Sequence, residues 1–80
     1  MFTHEQIWAA FEVIAERCGM SLSALSKSAG LDPTSFNLSK RYGPGGRKRW
    51  PSTETLARVL QVANLDMRAF AEILGTEAEN

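Results

Sequence analysis

Four consecutive residues, Gly30-Leu31-Asp32-Pro33, constrain this chain more than any other feature. Glycine adopts the left-handed conformation that stops a helix without steric cost. Aspartate is a strong helix N-cap, and proline suits the first helical position, where its missing N–H does no harm. Between that stop and that start only Leu31 intervenes. With Phe36 at the fourth helical position it forms a hydrophobic staple, which fixes the angle at which the next helix leaves the turn. The spacing predicts a second helix opening at Ser21 and stopped by Gly30, a tight turn, and a third helix, Pro33-Tyr42. Two helices joined by a short glycine-containing turn make a helix-turn-helix.

The remaining elements follow from caps and periodicity. Thr3 and Gln6 form a capping box for a first helix with Ile7, Phe11, Ile14 and Cys18 on its apolar stripe, widened by Trp8 and Ala15. Gly19 ends it. His4 is expected as a solvent-exposed residue near the cap, and Cys18 as a buried, inert thiol. In the second helix Leu22, Leu25 and Ala29 face inward. Gly43-Pro44-Gly45-Gly46 breaks any helix before Arg47-Lys48-Arg49-Trp50. Pro51 and Ser52 start a fourth helix with Leu56, Val59, Leu60 and Ala63 inward. Asp66 caps a fifth, with Met67, Phe70, Ala71 and Leu74 inward and Gly75 as its stop. The expected fold is all-α: one compact five-helix domain over residues 1–75, with residues 76–80 an acidic tail or the start of a linker. Eighty residues leave little room for a second core.

A net charge of zero conceals a strong asymmetry. Between Lys27 and Arg58 seven basic residues face two acidic ones, a local charge of +5; the rest of the chain carries two basic and seven acidic residues, or −5. That is the electrostatic footprint of a protein that docks on phosphate. On the expected third helix Thr34, Asn37, Leu38 and Arg41 fall at i, i+3, i+4 and i+7, opposite Phe36. Asparagine can pair with an adenine edge, arginine with a guanine edge or a phosphate, and leucine can meet a thymine methyl. Ser35 and Lys40 flank the stripe. Backbone or minor-groove contacts are expected from Ser21, Ser23, Lys27, Lys40, Arg47, Lys48 and Arg49.

Each of these features has a plainer rival. A Thr/Asn/Arg stripe is often just a solvated face, and the Arg47–Arg49 run a surface loop. Leu38 fits a protein contact as well as a methyl group, and Trp50 suits a core plug better than a base-stacking platform. Catalysis finds little footing. His4 is the chain's one histidine and Cys18 its one cysteine. Ser23 and Lys27 sit i, i+4 without a means of activating the lysine. The glycine-rich loop lacks the Gly-Lys-Ser/Thr of a phosphate loop, and no spacing suits a metal. No cofactor is expected. No apolar run reaches the roughly 18 residues that span a bilayer, so the chain is expected to be cytoplasmic by default, and nucleoid-associated where it binds bacterial DNA. The competing reading is a protein-interaction module, such as an antitoxin or docking domain, anchored by Leu38 and Trp50. Single-stranded RNA binding, with only Tyr42 and Trp50 to stack, is a weaker third.

In this order, the features resemble the Cro/cI-type (XRE) helix-turn-helix domains, on Leu25, Ala29, Gly30, Leu31 and Phe36 within residues 22–39. Gly30-Leu31-Asp32-Pro33-Thr34-Ser35-Phe36-Asn37, Ser39-Lys40-Arg41 and Arg49-Trp50-Pro51-Ser52 are similar to the N-terminal domains of phage-repressor-like, LexA-type self-cleaving regulators. The resemblance implies a lambda-repressor-like fold and a transcriptional repressor bound as a dimer to a palindromic operator. It would put base contacts at Thr34, Asn37 and Leu38 and a phosphate contact around Arg41. Ser26 stands where the family prefers alanine, so its hydroxyl needs a partner. The self-cleaving peptidase domain is absent, so the chain is either a stand-alone regulator or part of a longer parent with a C-terminal peptidase-like dimerisation domain.

Overall fold

The computed structural model describes residues 2–77, with the side chains of residues 76 and 77 outside the description. Four α-helices form its frame: α1 (His4–Arg17), α2 (Leu22–Ser28), α3 (Thr53–Ala63) and α4 (Met67–Glu72), the last running on into a π turn, Ile73–Glu77. No strand occurs among the described residues; a single antiparallel bridge pairs Tyr42 with Lys48. All four helix starts are capped by the side chains that sequence assigns to them. Thr3 and Gln6 form a reciprocal capping box, and Ser21, Ser52 and Asp66 each accept from a first-turn N–H. At the end of α2, Gly30 has φ +75°, and Leu31 N–H donates back to the Ser26 carbonyl at 2.9 Å. This double closure absorbs carbonyls that the helix end would leave unpaired.

The core is an aromatic cluster. Phe11 and Phe36 lie 5.1 Å apart between centroids, Trp8 lies 5.7 Å from Phe11, and Phe70 closes the far side at 6.3 Å. Ile14, Leu25, Val59 and Ile73 fill in around them, all fully buried. Ser26 is buried too, and its hydroxyl donates to the Leu22 carbonyl one turn back at 3.0 Å. The partner that a serine needs at this position is therefore local.

The expected third helix is the main correction. Residues 33–36 form a turn, Asn37 is extended (φ −64°, ψ 151°), and only Leu38–Lys40 coil again, as one 3₁₀ turn. The described residues therefore hold four α-helices rather than five, and α2 has no second α-helix across the turn. The helix starts without propagating. Asp32 does cap, accepting from the Thr34 N–H at 2.8 Å and its hydroxyl at 2.6 Å. Nucleation is the costly step, and Thr34, Ser35, Phe36, Asn37 and Ser39 are weak at extending what it begins. Their backbone closes in i→i+3 bonds instead, from Ser35 to Asp32, Asn37 to Thr34 and Lys40 to Asn37.

Smaller corrections concern faces. Cys18 is exposed because α1 ends at Arg17, one residue before the apolar stripe would reach it. Met67 and Ala71 are exposed on α4, whose six residues bury Phe70. Gly75 does not stop the chain's coiling, which passes through it in the π turn. Of the tail expected at residues 76–80, residues 78–80 lie outside the described residues.

Phe36 ties the irregular segment to the core. Phe36→Ala should cost about 3–5 kcal/mol, a large share of the roughly 5–15 kcal/mol available to such a domain. A thermal melt should show a loss of at least about 12 °C; an unchanged midpoint would mean that residues 33–41 are not packed as described.

Candidate nucleic-acid interface

Beyond Lys40 the chain forms a short ribbon. Arg49 N–H donates to the Arg41 carbonyl at 2.9 Å and Gly43 N–H to the Arg47 carbonyl, closing two legs around Gly45 and Gly46. Both glycines have positive φ, +71° and +78°, a reversal that other residues resist. Arg47, Lys48 and Arg49 are all exposed on the returning leg.

The base of the ribbon is locked to α1. His4, only 2% exposed, sets Nε2 2.9 Å from the Arg41 carbonyl and 3.0 Å from the Arg49 carbonyl. Trp8 Nε1–H donates to the same Arg49 carbonyl at 3.0 Å. The His4 ring also meets Tyr42 at 5.0 Å and Trp50 at 5.7 Å. His4 is thus a buried anchor and not the solvent-exposed residue its place at a helix start implies. Trp50 is half exposed and leans on Phe2 and His4, so it is no core plug.

Arg41 is the second reversal. In place of an outward reading side chain, it is 8% exposed, with its guanidinium 5.3 Å from the centre of the Trp8 ring. Its Nη2 donates to the Glu12 carboxylate at 3.0 Å and to the Phe36 carbonyl at 3.1 Å. The break at Asn37 turns the next residues by an amount that a straight helix does not allow, and the stripe through Thr34, Asn37, Leu38 and Arg41 comes apart. Thr34, Asn37, Leu38 and Lys40 remain exposed, Leu38 at 71%; Ser35 is half-buried.

The other expected contacts are scattered. Ser21 spends its hydroxyl on the α2 cap, while Ser23 and Lys27 are exposed on α2. Lys48 lies 3.9 Å from Glu5, and Arg58 pairs with Glu54 and reaches the Ala29 carbonyl at 3.3 Å. Leu38 and Tyr42 border an open depression of about 300 Å³, whose walls include Glu5, Glu12 and Trp8. Two carboxylates are held below their ordinary range: Asp32 by the Thr34 hydroxyl and then the Thr34 N–H, and Glu5 by a backbone hydrogen bond ahead of Lys48. Among the described residues no three His, Cys, Asp or Glu side chains gather around a possible metal position, and no helix is long and apolar enough to cross a membrane. Sequence reasoning missed His4 and Trp8 as anchors. The one available signal was their i, i+4 spacing at the start of a helix, which places two N–H-bearing rings on one face. No protein-family model, curated protein or solved structure matches this chain.

This geometry has two measurable consequences. Arg41→Ala should destabilise the domain by about 2 kcal/mol or more, because it removes charge-assisted bonds and leaves the Phe36 carbonyl unpaired. Arg41→Met, which keeps the stem, should recover only part of that in urea denaturation; full stability in the alanine variant would contradict the inward placement. Asp32, with its folded-state pKa below the unfolded value near 3.8, stabilises the turn above that pH and loses the contribution as pH falls through the folded value. The Thr34 amide resonance should therefore move on acidification below about pH 4, and Asp32→Asn should abolish that step.

Proposed function

We propose that this chain binds double-stranded DNA in a sequence-specific way as the DNA-binding domain of a Cro/cI-type transcriptional regulator, acting as a repressor. The observation that carries the reading is the exposed basic ribbon, Arg47-Lys48-Arg49, anchored through His4 and Trp8, with Asn37, Leu38 and Lys40 exposed on the segment that leads into it. A fixed cation cluster beside groups that suit base edges combines phosphate positioning with readout. In this reading Thr34, Asn37 and Leu38 approach the bases, and Lys27, Lys40, Arg47, Lys48 and Arg49 meet the backbone or minor groove. Arg41 acts from inside, by holding the segment. A domain of this size covers one half-site, so the proposal includes a dimer on a palindromic operator with half-sites about one helical turn apart. A second copy would use α4, where exposed Met67 borders an apolar depression of about 430 Å³. A cytoplasmic, nucleoid-associated location belongs to the same proposal.

A protein-docking role is the second reading. It is favoured by Leu38, which stands 71% exposed at the edge of a depression lined also by Trp8, Ala9 and Tyr42, an apolar rim that suits a protein side chain better than a phosphate.

Selection from a random duplex library separates the two. Enrichment of one palindrome is expected, lost in an Asn37→Ala, Lys40→Ala double variant. With four or five phosphate contacts, log affinity should fall with log salt at a slope of about −4. No enrichment, with salt-insensitive capture of a protein ligand that depends on Leu38, would favour docking and sink the operator reading.

A further inference from the structure

We infer that His4 is the positioning residue of the basic ribbon, acting through a proton fixed on Nε2; the inference rests on the proposed DNA binding. His4 Nε2 faces two main-chain carbonyl oxygens, those of Arg41 and Arg49, at 2.9 and 3.0 Å. A ring nitrogen with a lone pair there would oppose two oxygen lone pairs. A protonated one donates to both, so the geometry selects the Nε2–H tautomer. Trp8 Nε1 lies 3.1 Å from His4 Nε2, and two donors do not bond each other, so the indole N–H serves the Arg49 carbonyl instead. Two donors from one face of α1 therefore hold both legs of the ribbon where they leave the body of the protein. Nδ1 is buried, has no hydrogen-bond partner, and stands 3.7 Å from the Glu5 carboxylate.

The arrangement links α1 to the cations. Arg49 carries one clasped carbonyl and an exposed guanidinium, and Lys48, next in the ribbon, lies 3.9 Å from Glu5. Without the clasp the ribbon keeps one bridge and a glycine tip, too little to hold three like charges together, because an isolated two-stranded hairpin is marginal in water. The charged and titratable groups around the ring are Glu5 and Glu12 from α1 and Arg41, Tyr42, Lys48 and Arg49 from the ribbon side.

Because His4 is the chain's one histidine, its ring nitrogens are unambiguous by nitrogen-15 NMR. The test uses the full chain as wild type, His4→Ala, His4→Gln and His4→Asn, reading three quantities. These are the tautomer, exchange of the Arg49 amide relative to the Leu25 amide in the core, and affinity for the duplex enriched from the random library. The expected result is the Nε2–H tautomer in the wild type. In His4→Ala, Arg49 exchange should quicken by roughly tenfold beyond any change at Leu25. Duplex affinity should fall by about tenfold, with a salt slope shallower by about two. The glutamine amide reaches the Nε2 position and should restore both readouts; the asparagine amide reaches only the Nδ1 position and should not. If the alanine variant does not fold, the glutamine–asparagine contrast carries the comparison. An Nδ1–H tautomer, an unmoved Arg49 amide, or unaltered duplex affinity in a variant whose ribbon has loosened would overturn the role of His4. A ribbon that loosens as expected in a protein whose wild type binds no duplex would overturn the DNA reading instead.

Discussion

The segment between α2 and α3 is held by a buried polar knot, and the rest of the candidate interface depends on it. Two rings of α1 donate to the carbonyls of Arg41 and Arg49, and the Arg41 guanidinium returns to Glu12 and the Phe36 carbonyl. These bonds take over what a helix would have done for residues 33–42, which is to satisfy main-chain groups that the fold removes from water. They are also specific. A helix would present its outward face whatever lay beneath it, whereas the knot is built from His4, Trp8, Glu12 and Arg41 in particular. Two buried nitrogens, His4 Nδ1 and Arg41 Nε, are left without partners in it. A cost of that kind is tolerated where the remaining bonds determine the position of something else. Here they determine the position of the ribbon.

Local signals were legible where the structure is local. Thr3 with Gln6, Ser21, Ser52 and Asp66 cap because each bond spans only three residues, and nothing distant competes. Gly30 stops α2 for the same reason. The aromatic core was legible from helical spacing at Phe11, Ile14, Val59 and Phe70. The third helix was not, although its cap, its proline and its staple are all present and Phe36 is buried as the staple requires. A start signal describes the first turn only. Beyond that turn the outcome depends on propagation by Ser35, Asn37 and Ser39, and on a pull from Glu12, 29 residues before Arg41 in the chain. No window of periodicity contains that pull.

The site was half legible for a related reason. Charge is a property of composition, so the basic stretch at Arg47–Arg49 could be read directly, and exposed Leu38 and Asn37 emerge as outward residues by either route. Arg41 and His4 depart from expectation because polarity is a poor guide to exposure. Histidine and tryptophan bury well when their N–H groups find acceptors, and arginine does so when its fork meets a carboxylate and its plane covers an aromatic ring. Those partners come from other elements and have no signature in sequence.

The same partners change the electrostatic argument. A window charge of +5 counts every cation as available to phosphate, yet Arg41, Lys48 and Arg58 are each paired with a carboxylate. The pairs are not equivalent. Arg58–Glu54 and Lys48–Glu5 are exposed on both sides, so solvent screens them and a phosphate can displace the carboxylate at small cost. Arg41–Glu12 is buried on the arginine side and reinforced by a main-chain carbonyl, and drawing Arg41 out would empty the space beside Trp8. The available charge is therefore smaller than composition suggests, and it sits on the ribbon, on Lys40 and on Lys27. Alternation along an extended leg sets Arg47 and Arg49 on one side and Lys48 on the other, toward Glu5. A cation cluster divided in this way does not converge on one point, and its geometry is set by the ribbon's backbone rather than by the count of its charges.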